Sequence, residues 1–290
     1  MSMKDKVVVV TGSNIGIGLE TAVGVAALEA TTVLACRNQA KAETAAKEVT
    51  QRTWNDDVHV VALDLADLAS AKKAADEILS RWGRVDVLVN NAGGVWSERQ
   101  LTAQGFEYTF GVNHLGHFYL TNLLLQRLRD SAPSRVVNVT SVGHHFARGG
   151  VPFDDLQNER RYVAMDVYCQ SKLANVLFTR QLATRLGGTG VTANAVHPGP
   201  VRSGFGMDGD LKGFQGWGMK VVRPFEISPA AGARTSLYLA TSPDVADTTG
   251  GYWVRSKPGH MSKHARDDAA ATRLWDVSEQ LLALAGFAVG

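Results

Sequence analysis

The feature that most constrains the fold of this chain is an apolar run that ends in a glycine-rich turn. Four valines, Val7 to Val10, precede the turn, and helix-forming sequence follows it. Consecutive valines favour a strand buried on both faces, and glycines let a turn bring the N–H groups of a helix N-terminus close to an anion. We therefore expect a strand, a loop and a helix, with a dinucleotide pyrophosphate bound by Gly12, Ser13, Asn14, Ile15, Gly16, Ile17 and Gly18. The alternative is a purely structural turn.

Composition narrows the class of protein. The chain has 290 residues, 45% of them hydrophobic, which suits one α/β domain over residues 1–290. A formal net charge of +2 argues against a nucleic-acid binder. The two cysteines, Cys36 and Cys169, indicate neither a disulfide framework nor a zinc site. Because no signal-like segment or membrane-length apolar run occurs, we expect a cytoplasmic protein without a membrane anchor.

Predicted strands and helices alternate along the first half of the chain. Three further strands follow, so the expected strands cover about 7–11, 32–36, 58–63, 85–89, 135–141, 191–196 and 252–254. This order predicts a single doubly wound Rossmann-type α/β domain with a mostly parallel seven-stranded sheet and helices on both faces. Ligands of such sheets bind beyond the carboxyl ends of the strands.

The residues after the second predicted strand bear on cofactor choice. A Rossmann domain that selects NAD places Asp or Glu there, whereas this chain has Cys36, Arg37 and Asn38. An arginine at this corner can pair with a 2′-phosphate, so we expect Arg37 and Asn38 to contact NADP. NAD stays the alternative, with Arg37 then a solvated loop residue.

Two further polar segments follow predicted strands. Asp64-Leu65 comes after the third strand and Asn90-Asn91-Ala92-Gly93 after the fourth. By themselves, these residue types are also typical of a helix N-cap and a tight turn.

Together with Tyr168-x-x-x-Lys172, these motifs resemble those of the short-chain dehydrogenase/reductase family. Cys36-Arg37-Asn38, Asn113-His114-Leu115-Gly116-His117 and Phe153-Asp154-Asp155-Leu156-Gln157 are similar to its retinol-dehydrogenase-like branch. The resemblance implies that Asp64 and Leu65 hold the adenine, and that further cofactor contacts come from Asn91, Ala92, Gly93, Tyr168, Lys172, Pro198, Gly199 and Val201. It also implies that Asn113 interrupts a helix and holds a water, and that Ser141 is the catalytic serine.

Tyr168 and Lys172 are four residues apart on a predicted helix, so both face one way. A tyrosine that acts as acid/base near pH ~7 needs about 4 kcal/mol in favour of the phenolate. A lysine charge about 5 Å away supplies roughly 3 kcal/mol. We therefore expect Lys172 to lower the pKa of Tyr168, with Asn113 and Ser141 completing the catalytic set.

Two other segments need an interpretation. The pair His114-x-x-His117 could suggest a metal, but no carboxylate stands within one turn of it, so packing or hydrogen-bonding histidines are favoured and no metal is expected. The segment 201–228 is glycine-rich yet apolar, which predicts a lid over a hydrophobic substrate.

These expectations describe an NADP(H)-dependent oxidoreductase that interconverts a small hydrophobic alcohol and its aldehyde or ketone, as a homodimer or homotetramer. Two alternatives stay open. One is an NAD-dependent hydroxysteroid or secondary-alcohol dehydrogenase, and the other is a non-catalytic NADPH sensor, which usually has a broken Tyr/Lys/Ser set.

Overall fold

The computed structural model describes residues 2–200 and 227–289. The expected cofactor contact at Val201 and nearly all of the expected lid, 201–228, lie outside the described residues. The described strands are β1 (Val7–Thr11), β2 (Thr31–Cys36), β3 (Val58–Ala62), β4 (Val87–Asn90), β5 (Ser134–Val139), β6 (Val191–His197), β7 (Tyr252–Val254) and β8 (Lys257–Pro258). The helices are α1 (Gly16–Ala26), α2 (Gln39–Thr53), α3 (Leu68–Arg81), α4 (Tyr108–Phe110), α5 (Gly116–Asp130), α6 (Ala164–Arg185), α7 (Pro229–Thr241) and α8 (Asp268–Leu284).

The strands form one open sheet in the order β3-β2-β1-β4-β5-β6-β7-β8. The first seven strands pair in parallel, as predicted, and β8 pairs with β7 in antiparallel fashion. The predicted strand count of seven was therefore one short. The two residues of β8 are too few to show an alternating pattern in the sequence, so only their pairing identifies them.

Helices cover both faces of the sheet, which confirms the doubly wound fold. One face carries α3, α5 and α6, and α8 packs on α6. The other carries α1, α2 and α7. This two-sided cover explains the valine run, because all of Val7–Thr11 is buried. Among the residues that the structure describes, no helix has the length and apolar character needed to cross a membrane.

A buried polar network joins the central strands to the helices above them. The Nδ2 of Asn90 in β4 donates to Asn138 Oδ1 in β5 at 2.8 Å and to Thr121 Oγ1 in α5 at 2.9 Å. In turn, the Nδ2 of Asn138 donates to Thr179 Oγ1 in α6 at 2.9 Å. Since burying an unpaired amide is costly, this network holds α5 and α6 in fixed positions over the sheet.

The helical segment that contains Asn113 begins at Tyr108. The reason is Glu107, whose buried carboxylate accepts hydrogen bonds from the backbone N–H groups of Thr109 and Phe110, each at 2.7 Å. This cap sets the start of the helix. A π-helical turn, Gly111–Leu115, then separates α4 from α5. Such turns often occur at functional sites.

The two histidines of this segment are buried and hydrogen-bonded. His114 Nε2 lies 2.9 Å from Ser278 Oγ, and His117 Nε2 lies 2.9 Å from Thr11 Oγ1. Burial lowers the pKa of each ring to about 3. An unfolded histidine titrates near ~6.5, so the unfolded chain binds more protons between pH ~6.5 and ~3. Both histidines therefore destabilise the fold progressively as the pH falls through that window.

We expect His114→Phe to reduce this acid sensitivity. The ring of His114 lies among aromatic neighbours, 5.1 Å from Phe110 and 5.9 Å from Phe118, so phenylalanine is compatible with the site. Between pH 7 and 4.5, the variant should lose about 2 to 3 kcal/mol less free energy of unfolding than the unmutated protein, at 1.36 kcal/mol per pKa unit. Urea unfolding at the two pH values measures this, with His260→Phe at an exposed position as control. An equal loss in both variants would contradict the assignment.

Candidate active site

The glycine-rich loop lies where β1 ends and α1 begins, as predicted. Gly12 has φ +62° and packs so closely that an added Cβ would lie 2.8 Å from the Cβ of Ala92. Ile15 precedes α1 and has no side-chain acceptor, so no side chain of the N-cap residue occupies the first N–H groups of the helix. An anion such as a pyrophosphate fits this arrangement.

Not every side chain of the loop faces outward. Ser13 is fully buried, and its hydroxyl donates to the Val10 carbonyl at 2.8 Å. Asn14 and Ile17 are half-buried, whereas Ile15 is exposed. We therefore assign any contact of Ser13 with a cofactor to its backbone.

A threonine that sequence reasoning did not select connects this loop to the next strand end. Thr11 Oγ1 accepts hydrogen bonds from the backbone N–H groups of Asn91 at 2.9 Å and Ala92 at 3.0 Å. The Asn91 amide donates back to the carbonyls of Thr11 at 2.9 Å and Gly12 at 3.3 Å. The two predicted cofactor segments thus form one rigid surface at the carboxyl edge of the sheet. In the sequence, Thr11 stands between the valine run and Gly12 as the first residue of the glycine-rich motif, and its contacts with Asn91 and Ala92 are 80 and 81 positions away.

The adenine end of the predicted site is built from residues that also support local structure. Asn38 caps α2 by accepting from Lys41 N at 3.0 Å, and Asp64 Oδ1 accepts from Ala66 N at 2.9 Å. The side chain of Leu65 is buried. The local turn role left open for Asp64 is therefore observed, the capping role of Asn38 is a finding of the structure, and the contacts of these residues with a cofactor stay predictions.

Arg37 is exposed immediately after β2, at the position expected for cofactor discrimination. Its Nη1 donates to the hydroxyl of Tyr108 at 3.0 Å. The Tyr108 ring in turn packs edge-on against Trp96, with centroids 4.7 Å apart. These contacts hold the guanidinium near the start of the helical segment that contains Asn113. A role for Tyr108 here could not be found from the sequence.

The four predicted catalytic residues come from three separate elements. Ser141 lies two residues beyond β5, Tyr168 and Lys172 lie one turn apart on α6, and Asn113 lies in the π-helical turn. Tyr168 hydrogen-bonds with Ser141. Lys172 Nζ lies 5.7 Å from the centroid of the Tyr168 ring. The fold therefore brings together side chains that are up to 59 residues apart in sequence, from 113 to 172.

The side-chain amide of Asn113 connects the loop after β4 to α6, and we call this set of hydrogen bonds the Asn113 clamp. Its Oδ1 accepts from Gly94 N at 2.9 Å, and its Nδ2 donates to Gly94 O and to Ser171 Oγ, each at 2.9 Å. Ser171 Oγ in turn donates to the Tyr168 carbonyl at 2.7 Å. The expected interruption of the helix at Asn113 is thus observed, and a water held by this residue stays a prediction. Ser171 is a further site residue that the sequence analysis missed.

Gly93 lies at the centre of this arrangement. A Cβ added there would lie 2.7 Å from Asn113 Oδ1 and 3.2 Å from Lys172 Nζ. The backbone at Gly93 therefore passes so close to Asn113 and Lys172 that a residue with a side chain does not fit there.

The expected lowering of the Tyr168 pKa is wrong for the described chain. Burial raises the pKa of Tyr168 to about 12, and the hydrogen bond with Ser141 only partly opposes this. Burial also lowers the pKa of Lys172 to about 8. The sequence estimate counted the attraction between the two charges and left out the cost of removing both groups from water, which dominates here.

The predicted cofactor-closing turn is described as far as Pro200. Pro198 leads into Gly199, whose N–H donates to the ring Nδ1 of His197 at 3.4 Å. Beyond the part of the chain that is not described, Ile227 N donates to the Pro200 carbonyl at 2.8 Å. The two ends of the predicted lid therefore meet beside the carboxyl end of β6. Among the described residues, no group of three or more side chains of types His, Cys, Asp and Glu could hold a metal.

Comparison with known proteins identifies the family. The sequence model of the short chain dehydrogenase family matches residues 6–153 and 156–211. The chain belongs to this family. It is 47% identical to human retinol dehydrogenase 12 over 284 residues, which are 98% of this chain and 88% of that protein. The predicted retinol-dehydrogenase-like branch is therefore confirmed, and this short-chain dehydrogenase is an NAD(P)-dependent oxidoreductase.

Solved structures agree with this membership. The fold matches a crystal structure of an uncharacterised protein from Mycobacterium paratuberculosis with TM-score 0.78 and 36% identity, over 100% of this chain and 96% of that one. It also matches RhlG of Pseudomonas aeruginosa, solved in complex with NADP, with TM-score 0.68 and 26% identity over 87% of this chain and 94% of that one.

We expect Gly93→Ala to impair turnover of this dehydrogenase at least about tenfold, because the new methyl group displaces the Asn113 clamp or Lys172. Gly83→Ala is the matched control, since an added Cβ there meets nothing within 4 Å. Steady-state rates and urea midpoints of both variants test this. Equal rates in the two variants would show that the backbone at Gly93 tolerates a side chain.

Proposed function

We propose that this chain is an NADP(H)-dependent oxidoreductase that interconverts a hydrophobic alcohol and its aldehyde or ketone, with Tyr168 as acid/base. The observation that carries the proposal is the convergence of Ser141, Tyr168, Lys172 and Asn113 beside the glycine-rich loop, at the carboxyl edge of the sheet. NADP(H), when bound, supplies or accepts the hydride. Side chains of this protein exchange the proton and orient the substrate.

Tyr168 exchanges the proton. With a pKa of about 12, its phenol is protonated near pH ~7, which is the form that donates a proton to a carbonyl oxygen during reduction. Alcohol oxidation requires the phenolate, and five pKa units correspond to about 7 kcal/mol. Positive charge at Lys172 reduces this cost, and the positive charge of an oxidised nicotinamide would reduce it further.

The other residues of the set orient the reaction. Ser141 presents its hydroxyl beside Tyr168 and can hydrogen-bond the same substrate oxygen. Asn113 holds Gly94 and Ser171 in place, and through Ser171 it also fixes the helix that carries Tyr168. Preorganisation of this kind spares the chain any rearrangement when charge develops.

A hydrophobic substrate is favoured by the surface around the site. Val142 and Met165 are each 44% exposed, and Phe146 is 64% exposed. Val142 directly follows Ser141, and Met165 lies three residues before Tyr168 on α6. Exposed apolar side chains close in sequence to the proposed catalytic residues suit an apolar ligand. The human relative is named for retinol, itself a hydrophobic alcohol.

Tyr168→Phe tests the chemistry. The ring and its packing stay while the transferable proton is lost, so kcat should fall by ~10²- to 10⁴-fold with the NADPH dissociation constant nearly unchanged. A panel of hydrophobic aldehydes, ketones and alcohols with both cofactors provides the assay, and Tyr238→Phe on the opposite face of the sheet is the control. Turnover close to that of the unmutated protein would support the nucleotide-sensor alternative.

Arg37→Ala tests the cofactor. A charge-assisted arginine–phosphate interaction contributes about 1.5 to 3 kcal/mol, or roughly a 10- to 150-fold preference for NADP(H) over NAD(H). Most of this preference should disappear in the variant, and adding Cys36→Asp should favour NAD(H) further by repelling the phosphate. The measurement is the ratio of dissociation constants, with Lys41→Ala as a control for general loss of charge. An unchanged ratio in Arg37→Ala would show that Arg37 is only a solvated loop residue. It would favour the NAD-dependent alternative.

A further inference from the structure

A fully buried histidine lies next to the proposed catalytic serine. The hydroxyl of Ser141 accepts from Gly143 N at 3.1 Å and so begins a short 3₁₀ helix, Val142–Phe146. His144, within that helix, is 0% exposed, and its Nδ1 lies 2.8 Å from the Ser141 carbonyl oxygen. None of the steps derived above uses this ring.

The hydrogen-bond partners of His144 determine its tautomer. On its other side, the backbone N–H of Ser262 points at His144 Nε2, 3.3 Å away. A backbone N–H can only donate, so Nε2 is the acceptor and Nδ1 carries the hydrogen that is donated to the Ser141 carbonyl. Only a neutral ring can make both bonds. Burial lowers the pKa of His144 to about 4, which keeps the ring neutral near pH ~7.

Two aromatic rings pack against the imidazole of His144. The Tyr252 ring of β7 packs edge-on against His144 at 4.6 Å between centroids, and the ring of His145 lies at 4.0 Å. His197 and His260 also act on its charge, each disfavouring protonation. The imidazole therefore has one orientation, and its N–H is directed at the serine turn.

The segment on the far side of His144 is itself attached to α6. Ser262 Oγ accepts from Ala265 N at 3.2 Å, and the Ala265 carbonyl accepts from Arg180 Nη1 at 3.0 Å. Arg180 lies on α6, the helix that also carries Tyr168. A chain of hydrogen bonds thus runs from the Ser141 turn through His144 and the C-terminal segment back to the helix of the acid/base.

We propose that His144 is a positioning residue for Ser141. By bridging the Ser141 carbonyl and the backbone of Ser262, His144 holds the backbone at Ser141 in a fixed position relative to α6. Ser141 and Tyr168 come from different elements, so their separation depends on what joins β5 to α6. His144 supplies a connection independent of the contact between the two hydroxyls. The proposal rests on the proposed function, because it presumes that Ser141 takes part in turnover.

The test compares His144→Ala with His144→Asn. Asparagine can place its amide N–H near the position of Nδ1 and so restore the bond to the Ser141 carbonyl, whereas alanine restores nothing. We expect kcat to fall ~10- to 100-fold in His144→Ala, the range for a reacting group displaced by about 1 Å, and at least half of that loss on a logarithmic scale to be recovered in His144→Asn. The NADPH dissociation constant should change less than about threefold in both.

The assay is decanal reduction by NADPH, or the fastest substrate of the panel described above. His59→Ala is the matched control, because this histidine lies in β3, at the opposite edge of the sheet from β7 and β8, and the variant should keep nearly the full rate. Urea unfolding accompanies each variant. If His144→Ala does not fold, His144→Asn against the unmutated protein still decides, since restored turnover supports the proposal and a loss of more than about tenfold overturns it.

Ser141→Ala separates this proposal from the one on which it rests. Full turnover in Ser141→Ala would remove the serine from the proposed function. A large loss in Ser141→Ala together with full turnover in His144→Ala would overturn only the role of His144. Equal losses of kcat in the alanine and asparagine variants would also overturn it, because the bond to the serine carbonyl would then not matter.

Discussion

The site depends on how polar groups are satisfied where buried parallel strands end. Thr11 closes β1 with a hydroxyl that accepts from the turn after β4 and lies 2.9 Å from His117 of α5. The same Asn91 side chain returns hydrogen bonds to the start of the glycine-rich loop. Because the Thr11 side chain is fully buried, losing its partners would leave its hydroxyl unpaired at a cost in stability. The glycine-rich loop and the turn after β4 are therefore held as one unit.

Burial also sets the electrostatics of Tyr168 and Lys172, the proposed catalytic pair. Lys172 is 4% exposed. Removal from water raises the pKa of Tyr168 and lowers the pKa of Lys172, which favours the neutral form of each side chain. A protonated phenol is suited to reduction of a carbonyl, and a partly desolvated lysine interacts strongly with any nearby charge. The described chain therefore holds Tyr168, the proposed acid/base, in the proton-donating form, and charges brought by ligands have a large effect on it.

The long segment between Ser141 and Tyr168 supports the site from outside. Tyr162 donates its hydroxyl to the Trp96 carbonyl at 2.8 Å, which holds the loop after β4. Gln157 Oε1 accepts from the backbone N–H of Glu107, the residue that caps α4. These contacts reach the loop and the helix start on either side of the Asn113 clamp. The segment thus supports Asn113 although it contributes no member of the proposed catalytic set.

The sequence by itself determined the order of the main strands and helices, the family and the types of the candidate catalytic side chains. Apolar periodicity, turn glycines and the spacing of Tyr168 and Lys172 are local properties that can be read directly. Tertiary structure alone decided the rest. Strand β8 is identified only by its pairing with β7, and the Thr11 hydroxyl binds backbone N–H groups that are 80 and 81 positions away in sequence. The direction of the Tyr168 pKa shift and the bridge through His144 depend on burial, which no short window of sequence reports. Local patterns thus specify which groups are present, and packing sets their protonation and their partners.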